Sequence, residues 1–159
     1  MSETEPSTPS RGEETNLILI VVGAHLRAEV ADRPLAYRLK ARVEAWLEKH
    51  GQNLNIPLVA VVCSDVWYMN QEALHRRPTI SVGGPGVNAL SAYFGQKLPS
   101  VAVRDNQMVI QIDTEFVDLR VCVWGMNHDL TVDALDYFDR QYLDDYLRAV
   151  VTQVEPQEG

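Results

Sequence analysis

Residues 83–88, with the sequence GGPGVN, follow a short apolar segment and precede a predicted helix. Glycines permit positive φ angles and a close approach of the backbone to a ligand. Where such a loop opens a helix, backbone N–H groups and the helix dipole favour a bound phosphate, carboxylate or sulfate. We therefore expect Gly83, Gly84 and Gly86 to hold a small anion, with a further contact from the Asn88 amide. The alternative is a tight turn that binds nothing.

More specific phosphate-binding and catalytic motifs are absent from the sequence. The glycine loop lacks the Lys-Ser/Thr pair of a Walker A loop, and the turn at Gly23 lacks the further glycines of a dinucleotide fingerprint. No GxSxG or HExxH motif occurs. The Gly-Gly-Pro-x-x-Asn pattern resembles a loop of archaeal S-layer-type domains over six residues, and this resemblance implies a turn after a strand.

His25 and Arg27 lie in the connection after the first apolar run. Residues 24–31 exceed the 2–6 residues usual for such a connection, and long loops at a ligand-binding edge often act as lids. We expect Arg27 to pair with the anion and His25 to help close over it. The alternative is two exposed side chains on a surface loop.

Asp65 is the leading acid–base candidate because it directly follows a buried apolar run and Ser64. Desolvation at such a position raises the pKa of a carboxyl group toward the range of a general base. Trp67 and Tyr68 are placed to stack on a planar ring such as a nucleobase. The alternative is that Ser64 or Asp65 caps the next helix and the aromatic side chains pack in the core.

Asn127 and His128 follow the last apolar run. His128 is a second candidate general base, and Asn127 is a candidate ligand contact. The same residues lie where a helix cap is required, and capping is the alternative. The four histidines show no metal-ligand spacing. With no CxxC pair, we expect no metal site, and Cys63 and Cys122 are predicted to be small buried hydrophobic residues.

Apolar runs and helical periodicity set out the elements that must position these residues. Continuous apolar strands buried on both faces are typical of parallel sheets. A short turn at 105–107 predicts one antiparallel hairpin. Strands are predicted at 17–22, 57–63, 79–82, 101–104, 108–112 and 119–124, and helices at 32–50, 70–75, 87–94 and from about 131.

This order predicts an α/β fold, a three-layer sandwich with a mostly parallel, Rossmann-like or flavodoxin-like sheet of about six strands and an antiparallel hairpin excursion. A single strand reversal then puts the carboxyl ends of strands 1, 2, 3 and 6 on one edge. Ligands of open α/β sheets bind beyond that edge. All the candidate loops are therefore expected to meet there.

Charge and length limit the classes of function. The chain has 159 residues and a net charge of −8. We predict one domain at 17–151 between disordered tails at 1–16 and 152–159. Those tails hold six glutamates and one arginine, so only −3 falls on the domain. This balance argues against nucleic-acid and membrane-surface partners. No secretory signal or long apolar run is present, so a cytoplasmic location is expected.

The sequence thus favours a small domain that binds a nucleotide-like or phosphate-like anion at the carboxyl edge of the sheet. One alternative is a hydrolase or group-transfer enzyme that uses Asp65 or His128 at the same edge. Another is a non-catalytic protein-interaction domain. No cofactor, reaction or oligomeric state follows from the sequence.

Overall fold

The computed structural model of the chain describes residues 5–6, 16–51, 57–104 and 107–154. It contains six strands and six α-helices in these ranges, together with a 3₁₀ turn at Glu72–Leu74 and a π turn at Asp139–Leu143. The strands are β1 (Asn16–Val22), β2 (Leu58–Ser64), β3 (Thr79–Val82), β4 (Ser100–Arg104), β5 (Met108–Ile112) and β6 (Arg120–Gly125). The helices are α1 (Leu26–Ala31), α2 (Arg33–His50), α3 (Asp65–Met69), α4 (Ala89–Gly95), α5 (His128–Phe138) and α6 (Asp144–Val154).

One six-stranded sheet has the order β2-β1-β3-β6-β5-β4. Strands β2, β1, β3 and β6 are parallel, and β5 runs antiparallel to both β6 and β4. The predicted α/β class, with a mostly parallel sheet and an antiparallel excursion, is confirmed. The turn predicted at 105–107 falls largely outside the described residues.

The sheet separates two hydrophobic cores, as three layers require. Alternate β1 residues face opposite sides, because successive side chains of a strand point to opposite faces. Ile18 and Ile20 pack with residues of α2, α5 and α6. Leu19 and Val21 pack with residues of α3 and α4. Burial on both faces explains why this strand reads as a continuous apolar run.

The two cysteines belong to this packing. Both Cys63 and Cys122 are free and buried. Burial raises the pKa of the Cys63 thiol to about 12 and that of Cys122 to about 11. Thiols held protonated in this way are inert packing groups at neutral pH.

Local helix boundaries differ from the predictions in three places. The presumed long loop at 24–31 contains α1, which His25 caps by accepting a hydrogen bond from the Arg27 N–H. The short helix expected at 70–75 is instead a 3₁₀ turn at Glu72–Leu74, and α3, which Ser64 caps, precedes it at Asp65–Met69. The last helix begins at His128, three residues early, because Asn127 provides its cap. In each case a polar side chain satisfies a first-turn N–H and so sets the start.

The ends of the chain are described only in part. Glu5 and Pro6, which lie in the predicted N-terminal tail, are described, and α6 runs to Val154, three residues past the predicted end of the domain. No helix in the described ranges is long and apolar enough to cross a membrane.

The chain changes direction across the sheet at β1. It passes from β1 to β2 on one side and then returns to β3 on the other side. Such a crossing leaves a crevice beyond the carboxyl ends of the two central strands. Gly23 leaves β1 at this crevice, where a Cβ atom would lie 1.7 Å from the Val87 carbonyl oxygen.

Gly23→Ala should therefore lower the free energy of unfolding by about 3 kcal/mol, at the upper end of overpacking costs, because the clash is with backbone and no rotamer relieves it. Urea unfolding followed by tryptophan fluorescence measures the change. Gly86→Ala is the control, since a Cβ there meets nothing within 4 Å. Equal unfolding midpoints for the two variants would contradict the close approach.

Candidate functional site

A cleft of about 390 Å³ opens at the carboxyl edge of the sheet, beside the β1–β3 crossing. Its walls come from the α1–α2 junction, from the glycine loop at 84–87, and from the connection between β6 and α5 at 124–128. We call it the switch-point cleft. Its volume lies within the range of about 300–1,000 Å³ that is typical of small-molecule sites.

Some of the residues singled out in the sequence meet in this cleft and others do not. The lining includes Gly84, Gly86, Arg27, Asn127 and His128. The remaining seven candidates lie outside the lining and are Gly83, Asn88, His25, Ser64, Asp65, Trp67 and Tyr68.

Asn88 is buried and acts as a structural link. Its amide nitrogen donates to the carbonyl oxygens of Val21 at 3.2 Å and Val82 at 3.0 Å. Its Oδ1 accepts from the N–H groups of Leu90 at 2.9 Å and Ser91 at 3.2 Å. The same side chain therefore joins β1 to β3 and caps α4.

Asp65 is also engaged within the fold. Its Oδ1 accepts from the N–H groups of Ala24 at 3.0 Å and Val66 at 2.7 Å. Its Oδ2 accepts from the Ala89 N–H at 2.8 Å. With Asn88, this carboxylate takes up the N–H groups of the first turn of α4. The anion cradle expected at that helix start is thus filled by the chain's own acceptors.

The aromatic pair after β2 faces inward. Tyr68 is only 2% exposed, stacks on His75 with ring centroids 4.7 Å apart, and its hydroxyl lies 3.3 Å from the Thr79 hydroxyl. Trp67 is half-buried and packs against the second core. Neither ring is placed to stack on a ligand in the switch-point cleft.

Trp124 is the aromatic residue that does line the cleft. It is the penultimate residue of β6, and a Cβ on Gly84 would lie 3.6 Å from its Cε3 atom. Trp124 was not among the candidate residues that the sequence indicated. Its place near the end of β6, at the carboxyl edge of the sheet, was the signal that could have identified it.

Backbone donors remain available in the glycine loop. The Gly83 N–H donates to Val123, and the N–H groups of Val87 and Asn88 donate to the Gly84 carbonyl. Among the described residues, the N–H groups of Gly84 and Gly86 have no acceptor. Both glycines line the cleft, so their donors are at the site where a ligand would lie.

Asp32 also lines the cleft, although it was not among the candidate residues that the sequence indicated. It precedes α2, but its side chain makes no cap hydrogen bond. It is 7% exposed, and its Oδ2 lies 2.4 Å from the position of a Cβ on Gly83, where φ is +106°. Burial raises the pKa of the Asp32 carboxyl from 3.8 to about 6, with the charges of His128 and Arg27 opposing the rise.

This shift predicts a pH-dependent stability. The folded chain holds the Asp32 proton more tightly than the unfolded chain, so the stabilising contribution is complete below pH 3.8 and is lost as pH rises through about 6. The difference in free energy of unfolding between Asp32→Asn and the unsubstituted chain should therefore change by about 2–3 kcal/mol in favour of the variant when the pH rises from 4 to 8. Urea unfolding at both pH values measures it.

Asp129→Asn, which removes an exposed carboxylate, is the matched control for that comparison. A constant difference between Asp32→Asn and the unsubstituted chain across this pH range would show that Asp32 is not desolvated.

Ser64 has a further partner in the N-terminal segment. The Glu5 carboxylate accepts from the Ser64 N–H at 2.9 Å and from the Ser64 hydroxyl. It also lies 3.5 Å from the guanidinium of Arg33, a buried residue at the start of α2. The β2 side of the sheet edge is therefore covered by a carboxylate of the chain itself.

Glu5→Gln should lower the free energy of unfolding by about 1–2 kcal/mol, because it removes charge-assisted hydrogen bonds next to a buried arginine. Glu3→Gln removes the same charge from the same segment and is the control. Thermal unfolding of both full-length variants measures the difference. An identical loss in the two variants would mean that the contact contributes nothing specific.

Comparisons of the chain with protein-family models, with curated proteins and with solved structures gave no match. Within the described ranges, no group of three or more His, Cys, Asp or Glu residues is placed to hold a metal ion.

Proposed function

We propose that this α/β domain binds a small anionic ligand, nucleotide-like or phosphate-like, in the switch-point cleft. The observation that carries the proposal is the meeting of Arg27, His128 and the unpaired N–H groups of Gly84 and Gly86 around one cleft. Backbone donors and a guanidinium are the groups that proteins use to bind phosphate. The cleft also lies at a strand crossing, as in Rossmann-like sheets.

The binding surface differs from the one expected from the sequence in its aromatic wall and its supports. Trp124 takes the place proposed for Trp67 and Tyr68, because it borders the cleft. His25, Ser64, Asp65 and Asn88 hold the surrounding loops through hydrogen bonds. Gly83 belongs to the same support, since its N–H is bonded to Val123.

Asn127 borders the cleft but acts chiefly through α5. Its Oδ1 accepts from the Leu130 N–H at 2.9 Å, and its backbone carbonyl accepts from the Thr131 N–H at 2.9 Å. Its side-chain oxygen is therefore committed to the helix cap, and we include Asn127 as a wall residue of the cleft.

Catalysis has less support than binding. Asp65 is engaged by three backbone donors and does not line the cleft. The Thr131 hydroxyl lines it but is bonded to Gly125 and Asn127. A hydrolase or transferase would depend on His128 without a nucleophile beside it in the described chain. A protein-interaction domain needs no such cleft, and the experiment below distinguishes it from a ligand-binding domain.

A thermal-shift titration with inorganic phosphate and nucleoside monophosphates tests the proposal. A bound ligand at ten times its Kd should raise the free energy of unfolding by about 1.4 kcal/mol, through RT ln(1 + [L]/Kd). Gly86→Glu should abolish the shift, because it adds a negative charge to the lining of the cleft, and this charge repels the anion.

Gly86→Ala is the control and should keep the shift, since a Cβ at this position meets nothing within 4 Å. Absence of any shift up to millimolar ligand would overturn the proposal and favour the interaction domain. An unchanged shift in Gly86→Glu would place the ligand elsewhere.

A further inference from the structure

We propose that Asp32 recognises hydroxyl groups next to the anionic group of the ligand, so that the cleft takes a sugar phosphate rather than a bare anion. The inference rests on the proposed function, which it narrows to one chemical class. In this assignment Asp32 is a specificity-determining residue.

The first observation is that the largely buried carboxylate of Asp32 makes no hydrogen bond with the described residues. Asp32 is more than nine-tenths buried, and its side chain has no hydrogen-bond donor among the described residues. Two other carboxylates near this edge are satisfied, since the buried Asp65 accepts from three backbone N–H groups and the partly exposed Glu5 accepts from Ser64. Asp32 lines the cleft, so a carboxylate that no donor of the described chain engages there is free to accept donors from a ligand.

The second observation is the arrangement of charge around the cleft. Arg27 and His128 line it together with Asp32. A bare phosphate would gain from the first two groups and would be repelled by the third. A ligand that carries both an anionic group and hydrogen-bond donors satisfies all three.

Hydroxyl groups on the ligand match Asp32 better than a positively charged group would. A carboxylate has two oxygens and accepts two donors at once, which matches neighbouring hydroxyls on a sugar ring. Hydrogen bonds to an ionised group are the stronger kind. Trp124 lines the same cleft and offers an aromatic face for the apolar side of the ring.

The test measures binding by calorimetry at pH 8, with the full chain and four probes. These are inorganic phosphate, ribose 1-phosphate, 2-deoxyribose 1-phosphate and O-phosphoethanolamine. Ribose 1-phosphate should bind at least about tenfold more tightly than phosphate or the deoxy sugar, the amount that one charged hydrogen bond contributes. Asp32→Asn should reduce this preference to less than about threefold.

Asp129→Asn is the matched control, because it removes an equal charge from an exposed position outside the cleft lining. It should keep the tenfold preference for ribose 1-phosphate. Far-ultraviolet circular dichroism and thermal unfolding establish that each variant is folded before binding is compared.

The outcomes separate the two proposals. If none of the four probes binds, the proposed function fails and the inference fails with it. If phosphate binds but ribose 1-phosphate gains nothing over it or over the deoxy sugar, the inference alone is wrong. Tighter binding of O-phosphoethanolamine would assign Asp32 to an amine, and an unchanged preference in Asp32→Asn would remove Asp32 from recognition. Either result overturns the inference.

Discussion

The buried carboxylate of Asp65 holds together the edge of the sheet on which the cleft depends. Its two oxygens accept hydrogen bonds from Ala24 after β1, from Val66 in α3 and from Ala89 at the start of α4. Backbone N–H groups that are shielded from water need acceptors, and here one buried side chain accepts from three partly buried ones. The loop after β1 and the helix after the glycine loop therefore share one anchor.

Polar residues at this edge divide into two groups according to whether the fold already uses their hydrogen-bonding capacity. Asp65 and Asn88 have theirs occupied by backbone groups, so they fix the positions of loops. Arg27, Asp32 and His128 border the cleft instead. The residues that hold the loops most firmly are thus different from those that a ligand would contact.

The position of the candidate site in the fold could largely be predicted from the sequence. The side chains that line it could be predicted less well. The glycine loop and residues 127–128 were expected at one edge, and Gly84, Gly86 and His128 do share a cleft. Asp32 was missed because an aspartate before a helix is ordinarily its cap, yet here its side chain makes no cap bond. Tyr68 was placed at the ligand because nothing local indicates that its ring stacks on His75.

The sequence by itself determined the strands, their parallel arrangement and the edge at which the loops meet. Those properties follow from continuous apolar runs and the alternation of strand and helix, which are local patterns. Only the tertiary structure decided which polar groups are paired, because their partners lie far along the chain. Asp65 bonds to Ala24, 41 residues away, and to Ala89, 24 residues away. Asp32, by contrast, lines the cleft, and its side chain makes no hydrogen bond with the described residues.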